Sequence, residues 1–201
     1  MFFSVVIPTH KRKLLLQDLL NSLATQTFAS NQFEVTVVAT ENDEAWEIDL
    51  TQYPFTVNMV SVPNDPFKGR SASAKRNYGA SLASGSWIAF TDDDCIASPQ
   101  WLEQAHQFIT THEIQFLEGG VNIPEPLIKT FTYKGIQRLS KPGGFQTCNM
   151  FYKKADFEQI KGFDPNFPYY LEDTDLAWSF LEKGKKPGFA PLAEVSHPVP
   201  P

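Results

Sequence analysis

Short apolar runs alternate along the chain with segments of helical periodicity. The run FSVVIP, residues 3–8, is rich in β-branched residues and closed by proline, which predicts a buried strand. KLLLQDLLNSLATQ follows, with Leu15, Leu19 and Leu23 at helical spacing and Leu16 and Leu20 beside them, an amphipathic helix facing a core. FEVTVVAT and FTVNMVSV predict a second and a third strand. SASAKRNYGASLASG predicts a helix capped by Ser71 or Ser73 and stopped by Gly85, and SWIAFT a fourth strand. Pro99 opens a further helix, PQWLEQAHQFITTH, because proline suits a first helical turn; IQFLEGGVNI reads as the next strand.

This alternation predicts an α/β fold: a doubly wound, Rossmann-like sheet, mixed but mostly parallel, with helices on both faces. One domain spans residues 1–201, and its character changes near residue 120. VNIPEPLIKTFTYKGIQRLSKPGGFQTCNMFY holds three prolines and three glycines, a loop-rich insertion leading to a strand at TCNMFY. Two short helices follow, KKADFEQI and LEDTDLAWSFLEKG, the second ended by Gly184. PGFAPLAEVSHPVPP is extended, since its prolines forbid helix.

Composition narrows the class. With 42% hydrophobic and 20% charged residues the chain is that of a soluble globular protein. No apolar run approaches the roughly 20 residues that span a bilayer. Met1 to Pro8 lacks the basic flank and length of a secretory signal, so the expected location is cytoplasmic, or peripheral at a membrane. Cys95 and Cys148 lie far apart in sequence without metal-type spacing, indicating neither a disulfide scaffold nor a zinc site. A net charge of -6 argues against nucleic acid as a partner. Lys68, Arg70, Lys75 and Arg76 nevertheless form a local cationic patch, suited to a phosphate ligand or simply a solvated helix start.

The candidate chemistry gathers where strands end, because ligands of open parallel sheets bind beyond the carboxyl ends of the strands. The strand Trp87–Phe90 runs into Asp92, Asp93 and Asp94, three like charges that require something positive nearby. Pro8 to His10 and Thr40 to Asp43 follow the first and second strands. Asp92 and Asp94 form a D-x-D pair able to hold Mg2+ or Mn2+ through oxygen; the alternative is a solvated acidic turn. Glu172, Asp173 and Asp175 crowd a helix start, where Thr174 or Asp173 is an ordinary cap, or where an ionised carboxylate accepts a proton from a sugar hydroxyl. His197 is either a metal ligand through a neutral ring nitrogen or a surface residue. Lys183, Lys185 and Lys186 read as a solvated helix end.

SVVIPTHKR, SAKRNYGASLASGSWIAFTDDDCIASPQWL, GGFQTCNMFYKKADFEQIKGFDPNF and EDTDLAWSFLEKG, in that order, resemble family 2 glycosyltransferases of the GT-A fold over almost the whole chain. The resemblance implies a nucleotide-sugar donor, usually a UDP-sugar, a saccharide, lipid-linked or other hydroxyl acceptor, a divalent cation (Mn2+ or Mg2+), and inversion at the anomeric carbon. Residues 1–120 are then the donor-binding half and 121–201 the acceptor-binding half, with acceptor choice mainly in Pro124 to Phe145. Asp94 matches the metal-binding aspartate, with Asp92 near ribose or metal and Asp93 beside them on the donor side. Asp173 matches the catalytic base and Glu172 its neighbour that places the acceptor. Pro8 and Thr9 match the strand end near the base, Arg76 the basic residue near the nucleotide, and His197 an additional metal ligand.

Three departures accompany the resemblance. Ala39 and Thr40 stand where the family often has an aspartate that recognises uracil, leaving Glu41 or Asp43 to reach across. Ser179 replaces a frequent arginine. The Q-x-x-R-W signature of processive synthases is absent after residue 173, which favours single addition. Two alternatives are a noncatalytic nucleotide-sugar or metal-binding domain and a magnesium-dependent phosphatase of the haloacid-dehalogenase kind. The latter predicts its D-x-D after the first strand and a hydroxyl residue two positions beyond, where Cys95 and Ile96 follow Asp94 here.

Overall fold

The structure, a computed structural model, describes residues 1–64, 67–124, 140–167 and 170–198. Strand β1 (Phe3–Pro8) is buried at every position. It lies parallel to β2 (Phe33–Val38) on one side and β4 (Trp87–Phe90) on the other, and β3 (Thr56–Val60) extends the sheet beside β2. Such continuous apolar runs occur because helices cover both faces. On one face Phe3, Val5 and Ile7 join Leu16, Leu19, Leu20 and Leu23 of α1 (Lys13–Leu23) and Trp101, Leu102 and Ala105 of α3 (Trp101–Thr111). On the other, Val6, Ile88 and Phe90 join Ala80 of α2 (Ala72–Leu82), Phe157 of α4 (Lys154–Ile160) and Leu176 and Phe180 of α5 (Glu172–Glu182). The two-residue period of β1 thus feeds two cores.

Among the described residues one eight-stranded sheet forms, in the order β3-β2-β1-β4-β7-β6-β8-β5. β7 (Met150–Lys153) runs antiparallel to both β4 and β6 (Phe116–Asn122). β8 (Pro187–Ser196) is parallel to β6, and β5 (Ile96–Ala97) closes the edge antiparallel to β8. The expected mixed, mostly parallel α/β sheet is therefore present. Among the described residues no helix is long and apolar enough to cross a membrane.

Local expectations are corrected at several points. Leu15 is 40% exposed, because the buried stripe of α1 follows Leu16, Leu19, Leu20 and Leu23, whereas steps of four residues drift off one face. α3 begins at Trp101, not Pro99, whose carbonyl instead accepts from Thr27 N. TCNMFY turns strand only at Met150; Asn149 before it donates Nδ2 to the carbonyls of Gly120 and Ala193 and accepts from Trp101 Nε1. Ser71 caps α2, accepting from Ala74 N, while Ser73 donates to the Phe167 carbonyl, and α2 stops at Leu82, before Gly85. Neither Asp173 nor Thr174 caps α5: the cap position is Leu171, with φ of 66°, and both residues lie in the first turn. Lys185 is bound to Asp156 and Gln159 rather than solvated. Most of the acceptor stretch, 125–139, lies outside the described residues.

The ladder between β6 and β8 breaks register once. Gly119 pairs with Ala190 but Gly120 with Glu194, so Pro191 to Ala193 arch out of the ladder, pinned by the Asn149 bond to Ala193. One residue past the end of β8, His197 N donates to Asn122 O at 2.9 Å.

Candidate active site

The loop after β1 is aimed by two backbone constraints. Thr9 N donates to Val38 O, prolonging the β1–β2 ladder, and Lys11, with φ of 55°, is held in the left-handed region by its N–H bond to Asp43 Oδ2 at 2.7 Å. This turn throws the side chain of Arg12 back over the aspartates. Arg12 Nη1 lies 3.1 Å from Asp93 Oδ1 and 2.9 Å from Asp94 Oδ2, and Thr9 Oγ1 donates to Asp93 Oδ2 at 2.7 Å. From α2, the buried Arg76 places Nη2 2.6 Å from Asp92 Oδ1 and Nη1 3.0 Å from Glu172 Oε1, with its guanidinium 5.7 Å from the centre of the Phe163 ring. The positive groups that three adjacent aspartates require are therefore Arg12 and Arg76.

The charges are tuned by burial and by these partners. Burial opposes the Arg76 charge, but Asp92 and Glu172 outweigh it and hold the guanidinium protonated. Burial pushes the Asp93 carboxyl above the usual carboxylate range, the neighbouring Asp94 adds to this, and Thr9 and Arg12 offset it in part.

Asp94 and His197 face each other in an arrangement that calls for a cation. His197 Nδ1 lies 2.8 Å from the Pro198 carbonyl, which can only accept, so Nδ1 carries a hydrogen and Nε2 is the nitrogen turned to Asp94. That nitrogen is 3.2 Å from Asp94 Oδ1, a buried oxygen with no hydrogen-bond partner among the described residues. A ring nitrogen and a carboxylate oxygen at that distance are joined either by a proton or by a metal ion. Cys95 Sγ belongs to the same group: ligand atoms of Asp94, Cys95 and His197 all lie within 4.8 Å of one another. The donor set fits a divalent cation. Asp92 stands outside this group, its Oδ1 2.6 Å from Arg76 Nη2. Cys95 and Cys148, distant in sequence, are both free and come together in the fold: a hydrogen bond with the Cys95 thiol, followed by burial, pushes the Cys148 thiol well up.

Arg12, Arg76, the three aspartates and His197 line a pocket of about 370 Å³ that also includes Pro8, Thr9, Arg70 and Lys75. The cationic patch is divided. Lys68 and Arg70 are exposed, whereas Lys75 is buried, donating to the Thr9 carbonyl and, at 3.0 Å, to Thr40 Oγ1, which also pairs with His10 Nδ1 at 2.8 Å. Burial and then the Lys75 charge hold the His10 pKa down. Neither expected base reader reaches this pocket: Glu41 is exposed outside it, and both Asp43 oxygens are taken, by Lys11 N and Ala45 N. Asp173 is half-buried in the first turn of α5, its Oδ1 accepting from Thr174 N at 2.7 Å, and it is not among the residues lining the pocket. Arg76 lines the pocket, but with its guanidinium already shared between two carboxylates. Arg12 was missed by residue-level reading, although the demand of three aspartates for a cation, combined with an arginine in the loop after the first strand, was a usable signal.

A parallel β3-β2-β1-β4 half with an acidic cluster beyond its last strand, joined to a mixed half that returns a histidine to that cluster, is a glycosyltransferase GT-A fold. Staphylococcus aureus TarS 1-349 has the same fold: its complexes with UDP and with UDP-GlcNAc superpose with TM-scores of 0.80 and 0.79 at 20% and 18% identity, covering 100% of this chain and 61% and 59% of those chains. The mannosyltransferase PcManGT from Pyrobaculum calidifontis, in complex with GDP-Man and Mn2+, gives a TM-score of 0.76 at 15% identity over 98% of this chain and 57% of its own. The model of glycosyl transferase family 2 matches residues 4–124, and the chain belongs to that family. Its curated relatives include the glycosyltransferase AglE of Haloferax volcanii, 27% identical over 187 residues, and an uncharacterized glycosyltransferase of Haemophilus influenzae, 29% identical over 208 residues. These alignments cover 89% and 98% of this chain but 60% and 66% of the relatives, so the chain spans less than two thirds of their length.

Proposed function

We propose that this domain transfers a sugar from a nucleotide-sugar donor, a UDP-sugar, to an acceptor hydroxyl, with inversion at the anomeric carbon and a divalent cation, Mn2+ or Mg2+. The observation that carries the reading is Asp94 Oδ1 facing His197 Nε2 at 3.2 Å in a pocket that also holds Arg12, Arg70, Lys75 and Arg76. The complexes of fold relatives with UDP, UDP-GlcNAc, and GDP-Man with Mn2+ support the ligand class.

In this reading Asp94 and His197 hold the ion, with the Cys95 thiol beside them. When bound, the ion offsets the negative charge that grows on the departing diphosphate, which removes the need for a general acid. Pro8 and Thr9 bound the nucleotide side, and Thr9 fixes Asp93 against Arg12. Arg76 sets Asp92 on the donor side and Glu172 on the acceptor side from one guanidinium. Asp173, next to Glu172, takes the proton from the attacking hydroxyl, and attack from the face opposite the leaving group inverts the centre in one displacement. Residues 1–120 form the donor half and 121–201 the acceptor half of a single domain, working in the cytoplasm or at a membrane surface.

A panel of UDP-, GDP- and dTDP-sugars with and without Mn2+, followed by nucleoside diphosphate release, tests this. Metal-dependent release that disappears in Asp94→Ala is the expected result. Failure of every nucleotide sugar to bind with metal assistance overturns it.

A further inference from the structure

Arg12 is bound to the same carboxylate that faces His197. Its Nη1 addresses Asp94 Oδ2 at 2.9 Å while His197 Nε2 addresses Oδ1 of the same carboxylate at 3.2 Å. A guanidinium and a divalent ion on one carboxylate share a single negative charge and repel each other, so full binding of one weakens the other.

The side chain is placed so that it can leave. Arg12 is 49% exposed, against 5% for Arg76, which does comparable pairing inside the protein. It supplies no side-chain bond to cap α1, so moving it removes nothing from the helix end. Its backbone, by contrast, is fixed: Lys11 N is bound to Asp43, and the Arg12 carbonyl accepts from Leu16 N. The guanidinium therefore swings about a fixed anchor, in the same pocket as Arg70 and Lys75.

We propose that Arg12 is a built-in placeholder for the divalent cation. It neutralises Asp93 and Asp94 in the free protein, yields Asp94 when the ion arrives, and turns its charge to the diphosphate of the donor. This inference rests on the transferase reading and goes beyond it by assigning opposite effects on metal and nucleotide to one residue.

Calorimetry with Mn2+ alone, and then with UDP at saturating Mn2+, tests the assignment on the unmodified protein, Arg12→Ala and Arg12→Lys. Removing the competitor makes Arg12→Ala bind Mn2+ roughly tenfold more tightly. Losing a charge-assisted contact makes it bind UDP roughly tenfold more weakly. Arg12→Lys, which keeps the charge without the planar fork, shifts both affinities in the same directions but less, and decides the matter if the alanine variant does not fold. Unchanged or weaker Mn2+ binding, or unchanged UDP binding, overturns the placeholder. If the unmodified protein takes up neither Mn2+ nor UDP, the transferase reading fails and this inference falls with it.

Discussion

Arg76 Nη1 reaches Glu172 Oε1 at 3.0 Å, and through that contact α2 holds the first turn of α5 beside the aspartate cluster. The same guanidinium binds Asp92, so one buried cation serves two carboxylates. Truncating it leaves both without their partner. Arg76→Ala is expected to lower the unfolding free energy by about 2–4 kcal/mol, below the full effect of a broken buried pair because the Asp92 side chain is 25% exposed. Urea denaturation measures it, and a variant as stable as the parent contradicts a bridging role.

Asp173 is already oriented by the Thr174 N–H, so Asp173→Asn keeps the shape of the helix start and removes only the basic oxygen. Nucleotide affinity is expected to stay within about twofold while transfer falls by about a hundredfold or more. Titration with UDP, paired with product formation, separates the two effects; weakened UDP binding argues against Asp173 as the base.

His197→Ala removes the nitrogen that faces Asp94 Oδ1. Mn2+ affinity is expected to drop by about tenfold to a hundredfold, with a loss of about 1–2 kcal/mol in unfolding stability for the buried ring while the backbone bond to Asn122 keeps the strand end in place. Equal Mn2+ affinity in both proteins places the ion elsewhere.

Glu34, 8% exposed, accepts from Ser4 Oγ, Ser84 N and Ser84 Oγ. Burial raises its pKa, but the three hydrogen bonds more than reverse this and leave the carboxyl below its ordinary 4.5. A depressed folded-state pKa adds stability that is complete above the unfolded value and is lost as pH falls through the folded one. Glu34→Gln is therefore expected to be less stable by about 1–2 kcal/mol at neutral pH, with the gap closing as pH falls below the ordinary carboxyl value and through the lowered folded-state one. Thermal unfolding across that range checks the sign, and a gap that widens in acid contradicts it.

Gly69 adopts φ of +78°, and a Cβ there clashes with the side chain of Thr40. Gly69→Ala is expected to cost about 1–3 kcal/mol and to displace Thr40 from Lys75 and His10. Weaker UDP binding alongside the stability loss marks Thr40 as a neighbour of the nucleotide; unchanged binding separates it from the site.

What could be read from the chain followed physical periodicity. Phe3–Pro8 has the bounds expected of it, because a β-branched run ending in proline has few alternatives, and the α/β order followed from runs too short for helix. The acidic cluster was visible because like charges in sequence demand a partner. Side-chain partners distant in sequence were not. The identity of the aspartates' counter-charges depends on the left-handed turn at Lys11 and on the packing of α2, and neither leaves a local pattern. β5 is two residues long, below what alternation can resolve, and it pairs with a strand a hundred residues away. Leu171 as the cap of α5 runs against side-chain preference and had no signal in the sequence.

The arch at Pro191 to Ala193 makes His197 a gauge of alignment. Strand side chains alternate between faces, so a slip of the stretch after the arch by one residue against Gly120 to Asn122 would turn the ring away and bring a neighbour opposite Asp94. The arch thus absorbs the irregularity of the ladder, and a nitrogen rather than an adjacent side chain meets the carboxylates.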